Sequence, residues 1–107
     1  MGFTKRELIE FLDGLVELAS EENKVKAVLA KVPQLDPKDI DDIAIGCART
    51  VNKCGKNVAR LVALRAGLES VSAMTVNRFC SSGLQTLAIE SANIAAGYAD
   101  IAVAGGM

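Results

Sequence analysis

Histidine and tryptophan are absent from this chain of 107 residues, and cysteine, proline and aromatic residues are scarce. Without histidine there is no imidazole to act as a general base or to bind a metal ion. Three cysteines are too few for a tetrahedral zinc site built from thiolates alone. The sequence therefore predicts no metal site. The odd number of cysteines, Cys47, Cys54 and Cys80, also argues against a disulfide framework.

Concentrated charge and long apolar runs are absent as well. The 12 basic and 13 acidic residues are spread along the chain and leave a net charge of −1. No basic block favours nucleic acid as a partner. No apolar stretch approaches the roughly eighteen residues that a membrane helix needs, and no signal peptide is visible. We therefore expect no membrane partner and a cytoplasmic location.

Segments with helical and strand-like patterns alternate along the chain. A capping box at Thr4 and Glu7, followed by an apolar stripe, predicts a helix over Lys5–Ser20. A second helix over Lys24–Val32 should end at Pro33. The later predicted elements are a strand at Ile43–Cys47, a helix from Asn57 to Ala66, a strand at Ala73–Asn77, a helix at Ser81–Ala96 and a strand at Ile101–Ala104. This alternation predicts an α/β fold with a parallel-type sheet and flanking helices, within one small domain spanning residues 1–107.

Cys80 stands where the predicted strand gives way to the predicted helix. Unpaired backbone N–H groups and the positive end of the helix dipole favour a thiolate at such a position, and the thiolate is the nucleophile. The next residues, Ser81, Ser82 and Gly83, are small enough to let a planar acyl group approach. This pattern favours a site of covalent acylation. A buried structural cysteine is the alternative that this local pattern leaves open.

Other residues around Cys80 carry separate expectations. Asn77 should hold the turn through hydrogen bonds to the backbone. Arg78 either raises the thiolate population at Cys80 or serves the fold. Gly105 and Gly106 should permit a close backbone approach at the end of the last strand. One face of the helix that follows Cys80 is expected to be buried: Leu84, Leu87, Ala88, Ser91, Ile94 and Ala95.

The segments Asn77–Leu87 and Ala95–Met107 closely resemble the nucleophile region of thiolases. Thiolases carry a reactive cysteine in an N-x-x-C-x-S-G context, followed by a helix, a G-x-A-D turn and a strand ending in A-G-G-M. Leu35–Ala48 and Asn57–Leu68 match the same family in the same order. The resemblance covers residues 25–107, and residues 1–22 diverge from it.

The resemblance implies that Cys80 is the acyl-accepting catalytic cysteine of an acetyl-CoA C-acyltransferase. Such an enzyme moves an acyl group between a 3-ketoacyl-CoA and coenzyme A. Coenzyme A thioesters are then substrates, with no separate cofactor, and the fatty-acid-degrading thiolases are the more similar subfamily. The β-ketoacyl synthases fit less well because they favour small residues before the cysteine. A thiol redox protein would need a second cysteine at C-x-x-C spacing.

The chain also departs from the thiolase pattern. Thiolases begin with a strand near the middle of the sheet, whereas here the pattern predicts a helix in its place. We therefore expect a gap between the strands at Ile43–Cys47 and Ile101–Ala104, and assembly as a homo-oligomer or with a complementary thiolase polypeptide. The family's catalytic histidine and second cysteine have no counterpart in the chain. A truncated fragment without its own turnover, acting as a partner-binding or split-enzyme piece, is therefore the alternative function.

Overall fold

The computed structural model describes residues 21–51 and 55–107. Its elements are α1 (Glu21–Ala30), a 3₁₀ helix (Pro37–Asp39), β1 (Asp42–Gly46), α2 (Val58–Arg65), β2 (Ser72–Val76), α3 (Ser82–Ala95) and β3 (Ala102–Gly106). The predicted α/β class is confirmed. The helix predicted at Lys5–Ser20, and with it the replacement of a first strand, lies outside the described residues. No helix in the described ranges is long and apolar enough to cross a membrane.

The three strands form one parallel sheet, with β1 in the centre between β2 and β3. The ladder between β1 and β3 is continuous from Asp42 opposite Ala102 to Gly46 opposite Gly106. We expected a gap between these two strands, and that expectation is wrong. Direct pairing gives hydrogen-bond partners to the backbone groups that a gap would have left without them.

Asp41 fixes the point at which β3 enters the sheet. Its Oδ2 accepts hydrogen bonds from the N–H groups of Asp100 at 2.7 Å and Ile101 at 3.1 Å. Its own N–H donates to the carbonyl oxygen of Ile101 at 2.8 Å. The bond from Asp100, followed by that from Ile101, lowers the pKa of Asp41 because both stabilise the charged carboxylate. These contacts align β3 beside β1 and explain the direct pairing.

Side chains cap the starts of two helices. Asp36 accepts a hydrogen bond from the N–H of Lys38 at 3.0 Å, at the start of the 3₁₀ helix. Asn57 caps α2 and also donates to the carbonyl oxygen of Ala73, at 3.0 Å, in β2. The start of α2 is thereby tied to the neighbouring strand.

The apolar core lies on one face of the sheet, between the strands and the helices α1 and α2. Because side chains alternate along a strand, Ile43 and Ile45 point to this face and both are fully buried. The cluster around them draws on both helices and on β3: Val25, Val28, Val58, Val62 and Val103. The opposite face of β1 and β3 presents mainly glycine and alanine, and α3 packs there.

Helix α3 is turned differently from our expectation. Its buried residues are Ser82, Thr86 and Glu90, which are four residues apart and share one face. None of the six residues of the predicted apolar stripe is buried: Leu87 and Ile94 are half-buried, and Leu84 is 73% exposed. The prediction was wrong because the small side chains of β1 and β3 let the helix approach too closely for a row of leucines.

Glu90 is the unusual member of the buried face. It is fully buried, and the carboxyl group of Asp42 lies beside it. Burial, followed by the neighbouring carboxyl group of Asp42, raises the pKa of Glu90 to about 8. Asp42 itself accepts a hydrogen bond from the hydroxyl of Ser72 at 2.9 Å. Glu90 is therefore protonated in the folded chain at neutral pH.

This protonation predicts a pH-dependent stability. In the unfolded chain Glu90 ionises near its ordinary pKa of 4.5, whereas in the folded chain it stays protonated up to about pH 8. Between these values the unfolded state binds fewer protons, so the free energy of unfolding contributed by Glu90 falls as the pH rises. Urea unfolding of the wild type and of Glu90→Gln across this window should show this fall in the wild type only.

The control for this experiment is Glu69→Gln, because Glu69 is an exposed glutamate. This variant should follow the wild type at every pH. An identical pH dependence for Glu90→Gln and the wild type would contradict the prediction.

Candidate active site

Cys80 lies in the turn between β2 and α3, at the edge of the sheet where all three parallel strands end. Crevices at the carboxyl ends of parallel strands are the usual ligand sites of α/β sheets. The side chain of Cys80 is exposed, and Ser81 after it is the N-cap residue of α3. The structure thus places Cys80 where the sequence predicted it, between a strand and the start of a helix.

Phe79, immediately before Cys80, has a positive φ of 51°. For a residue with a side chain this left-handed conformation costs about 1–2 kcal/mol. Its N–H donates to Oδ1 of Asn77 at 3.0 Å, which confirms that Asn77 holds the turn through the backbone. Strain of this kind persists only where surrounding contacts enforce it.

Two serine hydroxyls provide further contacts that enforce the turn. Ser82 is 4% exposed, and its Oγ accepts a hydrogen bond from the N–H of Arg78 at 2.8 Å and donates to the carbonyl oxygen of Phe79 at 2.6 Å. The hydroxyl of Ser81 donates to the carbonyl oxygen of Arg78 at 2.9 Å and does not cap the helix. The first turn of α3 therefore has no cap from the Ser81 side chain, which leaves its positive end available beside Cys80.

The start of α3 packs against the ends of β1 and β3 through glycines. A Cβ on Gly46 would lie 2.6 Å from the carbonyl carbon of Ser82, and one on Gly106 would lie 3.0 Å from Cα of Gly83. Thr86 adds a hydrogen bond from its hydroxyl to the carbonyl oxygen of Gly105 at 2.9 Å. The expected close approach at the end of the last strand is confirmed for Gly106. These contacts fix where the helix begins and therefore where Cys80 is held.

The remaining candidates are arranged as follows. The guanidinium of Arg78 donates to the side-chain oxygen of Gln85 on α3, which supports the structural role for this arginine. Cys47 is buried and its thiol donates to the carbonyl oxygen of Arg49 at 3.3 Å. Cys54 lies outside the described residues. Within the two described ranges, no group of three or more histidine, cysteine or acidic side chains could hold a metal ion.

Sequence reasoning named Ser82 only as a small residue and did not name Thr86. A usable signal existed, because residues four apart share a helix face, and Ser82, Thr86 and Glu90 follow this spacing. Hydroxyls at such positions can approach backbone carbonyls more closely than leucines can. The positive φ at position 79 could not be predicted from the residue itself, because phenylalanine, unlike glycine or asparagine, has no preference for that conformation.

Comparisons with known proteins agree on one family. A family model described as thiolase, N-terminal domain, matches residues 14–107. Acetyl-CoA acetyltransferase IB of Candida tropicalis is 48% identical over 83 residues, which are 77% of this chain and 20% of that protein. The 3-oxoadipyl-CoA/3-oxo-5,6-dehydrosuberyl-CoA thiolase of Escherichia coli K12 is 43% identical over 84 residues, 78% of this chain and 21% of that protein.

A solved structure supports the same assignment. The crystal structure of the Bacillus anthracis acetyl-CoA acetyltransferase matches with a TM-score of 0.64 and 32% sequence identity. The match covers 72% of this chain and 20% of that one. The chain thus spans about a fifth of the length of the proteins it matches.

The exposure of Cys80 predicts selective labelling. Iodoacetamide near neutral pH should alkylate Cys80 at least about tenfold faster than Cys47, because a buried thiol reacts only after local opening. Peptide mapping by mass spectrometry gives the rate at each cysteine. The variant Cys80→Ser should lose the fast phase, and labelling in denaturant should remove the difference. Equal rates at the three cysteines of the folded chain, or an inert Cys80, would contradict the prediction.

Proposed function

Because the chain belongs to the thiolase family, we propose that it is the nucleophile-bearing part of an acetyl-CoA C-acyltransferase. Cys80 would take an acyl group from a 3-ketoacyl-CoA and pass it to coenzyme A. The observation that carries this proposal is the exposed cysteine held by a strained turn at the start of α3. No prosthetic group is needed, since coenzyme A enters as a substrate.

The proposed reaction has two steps. In the first, the thiolate of Cys80 attacks the keto carbon, the bond between the α-carbon and that carbon breaks, and the α-carbon takes up a proton as acetyl-CoA leaves. In the second, the thiolate of coenzyme A attacks the acylated cysteine and the thiolate of Cys80 departs. Cys80 is the catalytic residue that this chain supplies.

The substrate that we propose is a 3-ketoacyl-CoA of fatty-acid degradation. The support is the resemblance of Ala48, Asn57–Arg60 and Asn77–Cys80 to degradative thiolases. One further relative, a 3-ketoacyl-CoA thiolase of Vibrio cholerae, is 44% identical over 84 residues, 78% of this chain and 22% of that protein. Relatives named for acetyl-CoA acetyltransfer are similar to the same degree, so short acyl chains belong in the same test.

A second candidate function is that of a fragment that acts only with a partner. The specific observation in its favour is the apolar stripe of α3, of which no residue is buried and Leu84 is 73% exposed. The chain also contains no histidine, so the histidine base of the family would have to come from another polypeptide segment. The partner that we propose is a second copy of this chain or a complementary thiolase polypeptide.

One experiment on the 107-residue chain tests both candidate functions. Acetoacetyl-CoA should acetylate Cys80, which intact-mass spectrometry and peptide mapping detect as one added acetyl group. Steady thiolysis with added coenzyme A should stay far below about 10 per second, the median for enzymes, because the chain has no histidine to act as the general base. The control is Cys80→Ser, which should show neither a stable thioester nor turnover.

Either of two outcomes would contradict these expectations. Turnover near the enzyme median would show that the chain is catalytically complete. A Cys80 that acetoacetyl-CoA never acylates, although iodoacetamide labels it, would reject the acyltransferase proposal.

The exposed stripe predicts association through α3. Sedimentation should show the wild type as a dimer or larger species, and Leu84→Glu should shift it towards monomer while leaving its circular dichroism unchanged. The matched control is Leu61→Glu, which changes another exposed leucine, on α2. A wild type that is monomeric and unfolds cooperatively at high temperature would argue against self-association. In that case, binding of the chain to a thiolase polypeptide that lacks this region would support the complementary polypeptide as the partner.

A further inference from the structure

The peptide unit that joins Phe79 to Cys80 is held from one side by Ser82. The carbonyl oxygen of Phe79 accepts a hydrogen bond from the Ser82 N–H at 3.1 Å and another from the Ser82 hydroxyl at 2.6 Å. The described part of the chain has no cis peptide bond. In a planar trans peptide the N–H points opposite to the C=O. Fixing the Phe79 carbonyl therefore also fixes the direction of the Cys80 N–H.

The orientation of the Ser82 hydroxyl is fixed as well. A serine hydroxyl has one hydrogen to donate, while its oxygen can also accept. Because Ser82 Oγ accepts from the N–H of Arg78 at 2.8 Å, its hydrogen is directed to the carbonyl of Phe79. Ser82 is nearly inaccessible to water, which leaves few competing partners.

The backbone hydrogen bonds of the turns and loops within residues 21–51 and 55–107 do not use the Cys80 N–H as a donor. In acyl transfer the carbonyl oxygen of the reacting group becomes negative, and the backbone N–H of the nucleophile is well placed to donate to it.

We infer that Ser82 is a positioning residue that aims the Cys80 N–H at the developing oxyanion. The inference rests on the proposed acyltransferase function. Ser82 contacts neither the substrate nor the thiol in this role. It holds the strained Phe79 in the left-handed conformation, and this conformation sets the direction of the donor.

The test compares two reagents that both react with Cys80 and do not contain coenzyme A. p-Nitrophenyl acetate is attacked at a carbonyl carbon, passes through an oxyanion and releases p-nitrophenolate. Iodoacetamide is attacked at a saturated carbon, forms no oxyanion and releases iodide. The ratio is the rate constant for p-nitrophenyl acetate divided by that for iodoacetamide, both measured at Cys80 by peptide mapping on the full chain. Because both rate constants depend on the reactivity of the thiol, their ratio reports the contribution of the N–H donor.

Ser82→Ala should lower this ratio by about tenfold, since removing an oxyanion donor outright costs about 10²–10³ in rate and misaligning it costs less. The matched control is Ser91→Ala, which removes the hydroxyl of an exposed serine on the same helix, and it should keep the wild-type ratio. An unchanged ratio in Ser82→Ala, or an equal fall of both rate constants, would overturn the inference in favour of a purely structural serine.

A second pair covers the case in which Ser82→Ala does not fold. Ser82→Thr and Ser82→Val add the same bulk and differ in the hydroxyl alone, so the ratio should be higher for Ser82→Thr. Equal ratios in this pair would overturn the inference. Failure of acetoacetyl-CoA to acylate Cys80 would reject the acyltransferase function without affecting these ratios, so the two failures are distinguishable.

Discussion

The close contact between the start of α3 and the ends of β1 and β3 is the constraint on which the rest of the site depends. Gly46 and Gly106 carry no side chain, and the backbone of Ser82 and Gly83 occupies the space that a Cβ would need. This approach brings the Thr86 hydroxyl within 2.9 Å of the carbonyl oxygen of Gly105. It also excludes large side chains from the face of α3 that meets the sheet. The position of Cys80 thus depends on the absence of side chains at Gly46 and Gly106.

In the turn before α3, a strained residue is held in its conformation by a few ordinary hydrogen bonds. Asn77 holds the N–H of Phe79, and Ser82 holds its carbonyl oxygen, so both sides of the residue are fixed. Each such hydrogen bond contributes about 0.5–1.5 kcal/mol, which together is comparable with the cost of the positive φ. The exposed cysteine that follows therefore needs no direct contact of its own to be held in one place.

The sequence was sufficient to predict the order of the described helices and strands and the junction at Cys80, because these follow from local chemistry and hydrophobic spacing. The sequence was insufficient for features that depend on contacts between segments distant along the chain. Periodicity identified an apolar stripe on α3, but it could not show that glycines on the sheet would select the other face. The direct pairing of β1 with β3 depends on Asp41 holding Ile101 across 60 residues of sequence. The conformation of Phe79 is imposed by its neighbours rather than by its own type. The assignment of Cys80 as the nucleophile stays a prediction.

The buried face of α3 is polar, whereas the apolar Leu84 is 73% exposed, and this arrangement changes how substitutions in the helix should be read. A rule that protects leucines and permits changes at serine, threonine and glutamate would select the wrong positions to conserve for folding. Substitutions at Leu84 should mainly affect solubility and association with other chains. Substitutions at Thr86 should affect the packing of the helix against the sheet. Efforts to make the chain more soluble should begin on the side of α3 that looks most like a core.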